Sequence, residues 1–313
     1  MTRNPTRRPG FTLLELLVVI ALILLLASLT VGAVFRLLDS RRDTNTNTHL
    51  LKIHMGLEAQ WKGKLDVIKK ENPPQAIIEL TRNVNGTIDM DRARAFHLKA
   101  RLRQEFPQNF GDVYSTVMVG GYSYGLKNSY VAALGNPLRS PPVTGPFVDP
   151  LPEAQSSAML VLILSQGAGG TTTNPEAIAP TKLLSFPQAD GSTRHLRVFV
   201  DAFGTHIAFR RVADDDMTDV LADLNVIPGD PQDPAGRLAI RDWPYRPTLE
   251  GFLARPGPPP SRPYNQFPFD GTNRGPFAFS AGRNLSFFLA NGFAETDLDN
   301  LYSYRLQQSG KGN

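Results

Sequence analysis

The sequence predicts an α+β fold: one long N-terminal helix, apolar in its first half, followed by a head that ends in antiparallel strands. Three observations carry this. Leu16 to Phe35 is a run of twenty residues without a charge. Beyond it, apolar residues recur at spacings of three and four as far as Ile68. Near the C-terminal third, Leu196 to Arg210 alternates, turns at a glycine and alternates again.

The first run decides where the chain resides. At about 1.5 Å per helical residue it is roughly 30 Å long, the thickness of a bilayer's hydrocarbon core. Glu15 sits at its edge, and a carboxylate at the margin of such a segment is costly enough to mark function. A short leader precedes it, Met1 to Pro9, with Arg3, Arg7 and Arg8 and no acid. Arg36, Arg41 and Arg42 balance those arginines on the far side, so the positive-inside rule gives no orientation. An ordinary secretory signal has a shorter apolar stretch, and Ala27-Ser28-Leu29 is a poor cleavage site.

The residues Gly10-Phe11-Thr12-Leu13-Leu14-Glu15, followed by Leu16-Leu17-Val18-Val19-Ile20-Ala21, match a further pattern without a gap. They resemble the signal of type IV prepilins and type II secretion pseudopilins: a basic leader ending in Gly, then Phe, Thr, two aliphatics, Glu and a long apolar helix. The resemblance implies cleavage after Gly10 by a prepilin peptidase on the cytoplasmic side and N-methylation of Phe11. It implies that Glu15 pairs with the new amine of a neighbouring subunit during assembly. A carboxylate unpaired in lipid costs several kcal/mol or takes up a proton, and pairing offsets much of that cost. An assembly ATPase, a platform protein, other pilin or pseudopilin subunits and membrane lipid are the implied partners. The implied location is the inner membrane, single-pass, with the N-terminus cytoplasmic and the head outside. After assembly, the filament lies in the periplasm or at the cell surface.

The family's shape is a long helix, transmembrane in its first half, packed on a small antiparallel β-sheet head with loop-rich insertions. On this frame residues 1–10 are leader, 11–35 the transmembrane and assembly helix, and 36–70 its continuation. Residues 71–313 are the head, with insertions around 107–150 and 214–275. Leu50, Ile53, Leu57, Trp61, Leu65 and Ile68 form the stripe expected to face the head. The helix should end near Asn72-Pro73-Pro74, because proline disfavours helix at and before itself. Asp43 to Thr48 is a poor helix former expected to loosen the middle. Gly32 stands where many major pilins carry a helix-breaking proline, a weaker device worth about 1 kcal/mol against alanine.

In the head, Asp89 to Phe106 reads as a basic amphipathic helix whose arginines and lysine form a solvated face. Glu153 to Ser165 reads as a second helix with the apolar body Ala158 to Leu164, too short to span a membrane. Leu196 to Arg210 reads as a β-hairpin. Its Val200-Asp201-Ala202-Phe203-Gly204 partly resembles the Asp-Pro-Trp-Gly corner of pseudopilin heads, with Pro and Trp replaced. Phe277 to Asn284, with Ser280-Ala281-Gly282, resembles the pseudopilin segment that precedes an acidic loop and a last strand. That loop binds calcium in those relatives. Here Asp297, Asp299 and Asn300 would supply the hard oxygen ligands, but only two carboxylates fall together, the loop differs in length and is not glycine-rich, and a capped, solvated turn is the favoured reading.

Composition excludes more than it proposes. The net charge is +4, of which the leader arginines carry three, so basicity is no argument for nucleic acid. There are no cysteines, hence no disulfides or thiolate metal sites. With 26 glycines and 26 prolines the chain is rich in loops. His49, His54, His97, His195 and His206 are scattered, with His195 and His206 flanking the hairpin as a surface pair. No metalloprotease or nucleophile-elbow motif occurs, and Gly167-Ala168-Gly169-Gly170 lacks the lysine of a phosphate loop. Neither an enzymatic activity nor a required cofactor is expected, and calcium is the one ion in question.

Three roles remain open at this point. The chain is a structural subunit of a pilus-like or pseudopilus filament, a minor or tip subunit whose head binds exported substrate, a surface or DNA, or an anchored protein that does not polymerise. Secretion, adhesion, twitching and DNA uptake are not distinguished.

Overall fold

The computed structural model describes residues 13–83, 85–114, 117–119, 122–125, 127–135, 152–167, 172–187, 193–211, 237, 275–282 and 301–303. The chain divides into two compact units, Met1–Asn45 and Thr46–Asn313.

Helix α1 runs unbroken over Leu13–Ile68, 56 residues. The polar stretch expected to loosen it does not. The Thr44 hydroxyl donates to the Ser40 carbonyl, and Thr46, fully buried, accepts from the Ala202 amide at 3.2 Å. Each hydroxyl finds a partner without leaving the helix, which removes the usual reason threonine weakens one. Gly32 is likewise helical, and a Cβ there would meet no atom of the chain within 4 Å. The helix closes before the prolines, with Lys70 and Glu71 amides turning to the Val67 and Ile68 carbonyls three residues back.

From Leu50 onward α1 is amphipathic. Leu50, Ile53, Leu57, Trp61 and Ile68 are buried and Leu65 packs against them at the edge. Helix α2 follows at Gln75–Leu80, then α3 at Met90–Glu105, where the Asp89 side chain accepts from the Arg92 amide as N-cap. The basic face of α3 is not the solvated one expected. Arg92 is 1% exposed, its guanidinium held by Asn83 Oδ1, the Arg237 carbonyl and Asp89. Arg103 is buried against Asp112, and Arg94 stays exposed. A buried guanidinium is costly unless acceptors face it, and carboxylates and carbonyls do so at both arginines.

The region read as loops at 107–150 contains ordered elements: α4 at Phe110–Tyr114, strands β1 at Val117–Val119 and β2 at Tyr122–Tyr124, and α5 at Asn128–Leu134. Helix α6, Pro152–Gln166, buries Ala158, Leu160, Ile163 and Leu164 completely. It lies against α1 at Gly56, where a Cβ would come within 3.3 Å of Leu164 Cδ2. The Gln60 side-chain amide donates to the Leu164 carbonyl across the same contact. After α7, Pro175–Ile178, come β3 at Thr181–Pro187 and β4 at Thr193–Phe199, antiparallel in register Leu184↔Leu196.

The hairpin read at Leu196 to Arg210 is therefore more than a hairpin, since the main ladder of β4 is with β3. Its return survives as a bridge, Val200↔His206, with the Ile207 amide on the Phe199 carbonyl. The chain then enters β5 at Ala208–Arg210, which pairs with β6, Phe277–Ser280, and β6 with β7, Leu301–Tyr302. The ladders β3-β4 and β5-β6-β7 are separate sheets, linked through this bridge. Helix α6 packs against both β4 and β5, and its Ser156 and Ser157 hydroxyls donate to the Phe209 and Phe199 carbonyls. Trp61 of α1 stacks obliquely on Phe106, ring centroids 5.0 Å apart, at the heart of the core.

Candidate functional site

Three regions have functional geometry, and each is described by itself. The first is the apolar part of α1. From Leu13 to Leu38 every large hydrophobic residue is exposed, including Leu13, Leu14, Ile20, Leu22, Leu26, Leu29 and Phe35. This is the one helix among the described residues long and apolar enough to cross a membrane. A water-soluble surface does not carry a continuous apolar cylinder of this size, so lipid or other helices must cover it. Its few polar groups are already satisfied. The Ser28 hydroxyl donates to the Leu25 carbonyl and the Thr30 hydroxyl to the carbonyls of Leu26 and Ala27. Both therefore enter hydrocarbon without an unpaired donor. Glu15 lies in the first turn, where the helix dipole favours a negative charge. Gly10 and Phe11, the expected cleavage and methylation residues, lie outside the described residues, as do Asp297, Asp299 and Asn300 of the calcium expectation.

The second region is in the head. Two short segments singled out in the sequence, Asp201 to Gly204 and Ser280 to Gly282, meet there. Asp201 is 4% exposed. One carboxylate oxygen accepts from the amides of Phe203 and Thr205, both at 2.9 Å. The other accepts from the Thr205 hydroxyl and from the Ser280 hydroxyl at 2.6 Å. The Ser280 oxygen also accepts from the Gly282 amide. Gly204, with φ +90°, supplies the left-handed residue that closes the turn. A second buried hydroxyl, Ser303 after β7, accepts from the Ala278 amide and shares a 3.1 Å hydrogen bond with Nδ1 of His54 on α1. These links tie helix, corner and last strand together, and 79 and 249 positions of sequence separate their partners. No local spacing reveals them.

Away from that corner, a cleft of about 620 Å³ opens between the end of α1, α3 and β2, lined among others by Glu71, His97, Arg101, Gln104, Tyr122 and Lys127. Arg101 grips Glu71 with two N–H groups, at 3.0 and 3.2 Å. His97 bridges the Tyr124 hydroxyl at 3.0 Å through Nδ1 and Glu71 at 3.1 Å through Nε2. Burial lowers the His97 pKa and the Glu71 hydrogen bond and charge only partly oppose it, so the ring is neutral at pH 7. Neutral imidazole fits both neighbours when Nε2–H donates to Glu71 and Nδ1 accepts from Tyr124. Burial pushes the Glu71 carboxyl up, but the Arg101 guanidinium and His97 outweigh it and hold it below the ordinary value. Burial also pushes the Tyr124 phenol well up.

The other histidines do not form the expected surface pair. The register puts His195 opposite Ser185, whose hydroxyl lies 3.1 Å from Nδ1, and His206 opposite Val200. Among the described residues no group of three His, Cys, Asp or Glu side chains is placed to hold a metal.

Residues 5–31 match the family model of the prokaryotic N-terminal methylation motif, the prepilin-type signal of type IV pilins and pseudopilins. No curated protein and no solved structure matches the chain. The motif supports a pilin-like precursor processed by a prepilin peptidase, and indicates a structural rather than an enzymatic protein. With the exposed apolar helix it fits a membrane-anchored subunit.

Proposed function

We propose that a chain carrying this prepilin-type signal is the structural subunit of a type IV pilus-like or type II secretion pseudopilus filament, cut after Gly10, methylated on Phe11 and assembled through α1. The observation that carries the reading is the coincidence of two things on one segment. The matched motif at residues 5–31 overlaps an apolar helix with no burial anywhere in its most hydrophobic stretch.

The chemistry follows from that helix. In the membrane it is an anchor, its backbone amides paired internally and its hydroxyls back-bonded, so lateral transfer from lipid to a bundle of like helices exposes no unpaired polar group. The bilayer is then a reservoir of subunits with the N-terminus cytoplasmic and the head outside. Cleavage leaves a cationic amine at Phe11, four residues from Glu15. A neighbour's amine offsets the cost of that carboxylate in an apolar surrounding and selects one axial register. An assembly ATPase and platform protein supply the work of extraction. The head, held to the second half of α1 by the Leu50 to Ile68 stripe, forms the outer surface.

Mass spectrometry of the mature N-terminus tests this. The expected result is a chain beginning at N-methylated Phe11. An intact Met1, or a cut near Ala27, overturns it.

A further inference from the structure

Nothing in filament assembly uses the cleft between α1, α3 and β2, yet its lining is built with unusual care. Its charged groups cancel: Glu71 and Glu105 stand against Arg101 and Lys127. Each ion is already held, Arg101 on Glu71, and Lys127 on Glu105 at 2.5 Å, where Lys64 also reaches at 3.3 Å. An ionic ligand would have to displace one of these part-buried pairs, which costs more than it returns. The occupant that fits is neutral.

It is also polar. Apart from Pro74, Gly125, the Lys127 ammonium and the rings of His97 and the tyrosines, the wall consists of amide, carboxylate and guanidinium groups from Asn72, Gln104, Glu71, Glu105 and Arg101. These are planar groups that present a donor and an acceptor, or two of either, at the spacing of adjacent hydroxyls. A peptide strand added to the β2 edge is disfavoured, because the Gly125 carbonyl that would extend the ladder already accepts from Gln104 at 2.5 Å. The remaining feature is aromatic. Tyr122 is 36% exposed and its ring is held edge-on to Tyr124 at 5.0 Å. Tyr124 is in turn fixed by His97, and His97 by Glu71. A rigid, part-exposed ring among bidentate polar groups suits a ligand with an apolar C–H face and a hydroxylated rim.

We propose that this cleft binds a short neutral oligosaccharide, with Tyr122 packing against a pyranose face and Glu71, Arg101 and Gln104 hydrogen-bonding its hydroxyls. The lining is fixed before binding by the Tyr124–His97–Glu71–Arg101 chain, so little ordering is left to oppose association. The inference is independent of whether the chain polymerises.

Ligand-observed NMR and calorimetry on the full mature chain, in a detergent without a sugar headgroup, test it with chitotriose, cellotriose and maltotriose as probes. Inorganic phosphate, a short DNA duplex and a neutral Gly-Ala peptide are the competing probes. The expected result is binding of at least one trisaccharide below about 10 mM, weakened roughly tenfold or more in Tyr122→Ala and in Gln104→Leu. Thermal unfolding of both variants should stay cooperative and fall by no more than a few degrees, since Tyr122 and the Gln104 side chain lie outside the core and lose only the Tyr124 contact and the hydrogen bonds with Gly125 and Arg101. Absence of trisaccharide binding at that concentration overturns the proposal. So does equal binding by both variants, or tighter binding of phosphate, DNA or peptide at this cleft.

Discussion

Replacing Asp201 by alanine tests how the head is closed. The carboxylate accepts four hydrogen bonds, from the Phe203 and Thr205 amides and the Thr205 and Ser280 hydroxyls. The two amides lie in a half-exposed turn and can turn to water once the carboxylate is gone. The Ser280 hydroxyl cannot, being 0% exposed. A hydrogen bond to a charged acceptor contributes about 1.5–3 kcal/mol, and a buried hydroxyl left without an acceptor costs about 1–3 kcal/mol. The expected loss is therefore about 3–5 kcal/mol. For domains of 150–250 residues each kcal/mol lowers Tm by roughly 2–4 °C, so the variant should melt about 6–20 °C lower. Thermal unfolding of the full chain in detergent, followed by near-ultraviolet circular dichroism, reads this out. Ser280→Ala and the double variant complete a cycle, and the expected coupling is about 1.5–3 kcal/mol. Additivity within about 0.5 kcal/mol, or a shift of Asp201→Ala below about 3 °C, refutes the reasoning.

Glu15→Ala should insert in the membrane and be processed as the parent is, yet fail to enter filaments, as judged by shearing and immunoblotting; normal incorporation contradicts the assigned role. Stability should fall with pH from about 7.5 to about 5.5. Burial lowers the pKa values of His97, His206 and His49, so the unfolded chain takes up protons first as the pH drops below 6.5, and the stability present above that value is lost. His97→Gln should shrink the change in Tm, and a flat or rising Tm on acidification would contradict it. Gly204→Ala should destabilise the head by about 1–2 kcal/mol from its positive φ alone, because the new Cβ meets no atom within 4 Å. Gly32→Ala, in a regular helix with equal room, should not lower the melting temperature.

Much of this molecule is written locally. The apolar run, the stripe from Leu50 to Ile68 and the apolar body of α6 each depend on residues a few positions apart, and each stands where periodicity places it. Strand β3 was not legible. Its Thr181 to Pro187 alternates weakly, and only pairing with β4 makes it a strand. The basic face of α3 was misread for a related reason. Charge patterning marks Arg92 and Arg103 as polar, but their fate depends on acceptors from Asn83, Asp112 and the distant Arg237 carbonyl.

The candidate sites divide along the same line. The prepilin-type signal and Glu15 lie within one short contiguous segment, so sequence by itself reveals them. The Asp201–Ser280 corner, the His54–Ser303 link and the cleft around Glu71, His97 and Tyr122 arise from residues tens to hundreds of positions apart. Their chemistry comes from removal of water and from partners that only the folded head assembles. Hydrogen-bond geometry and burial are set by tertiary contacts, whereas helix periodicity and membrane affinity are set by the order of side chains along the chain.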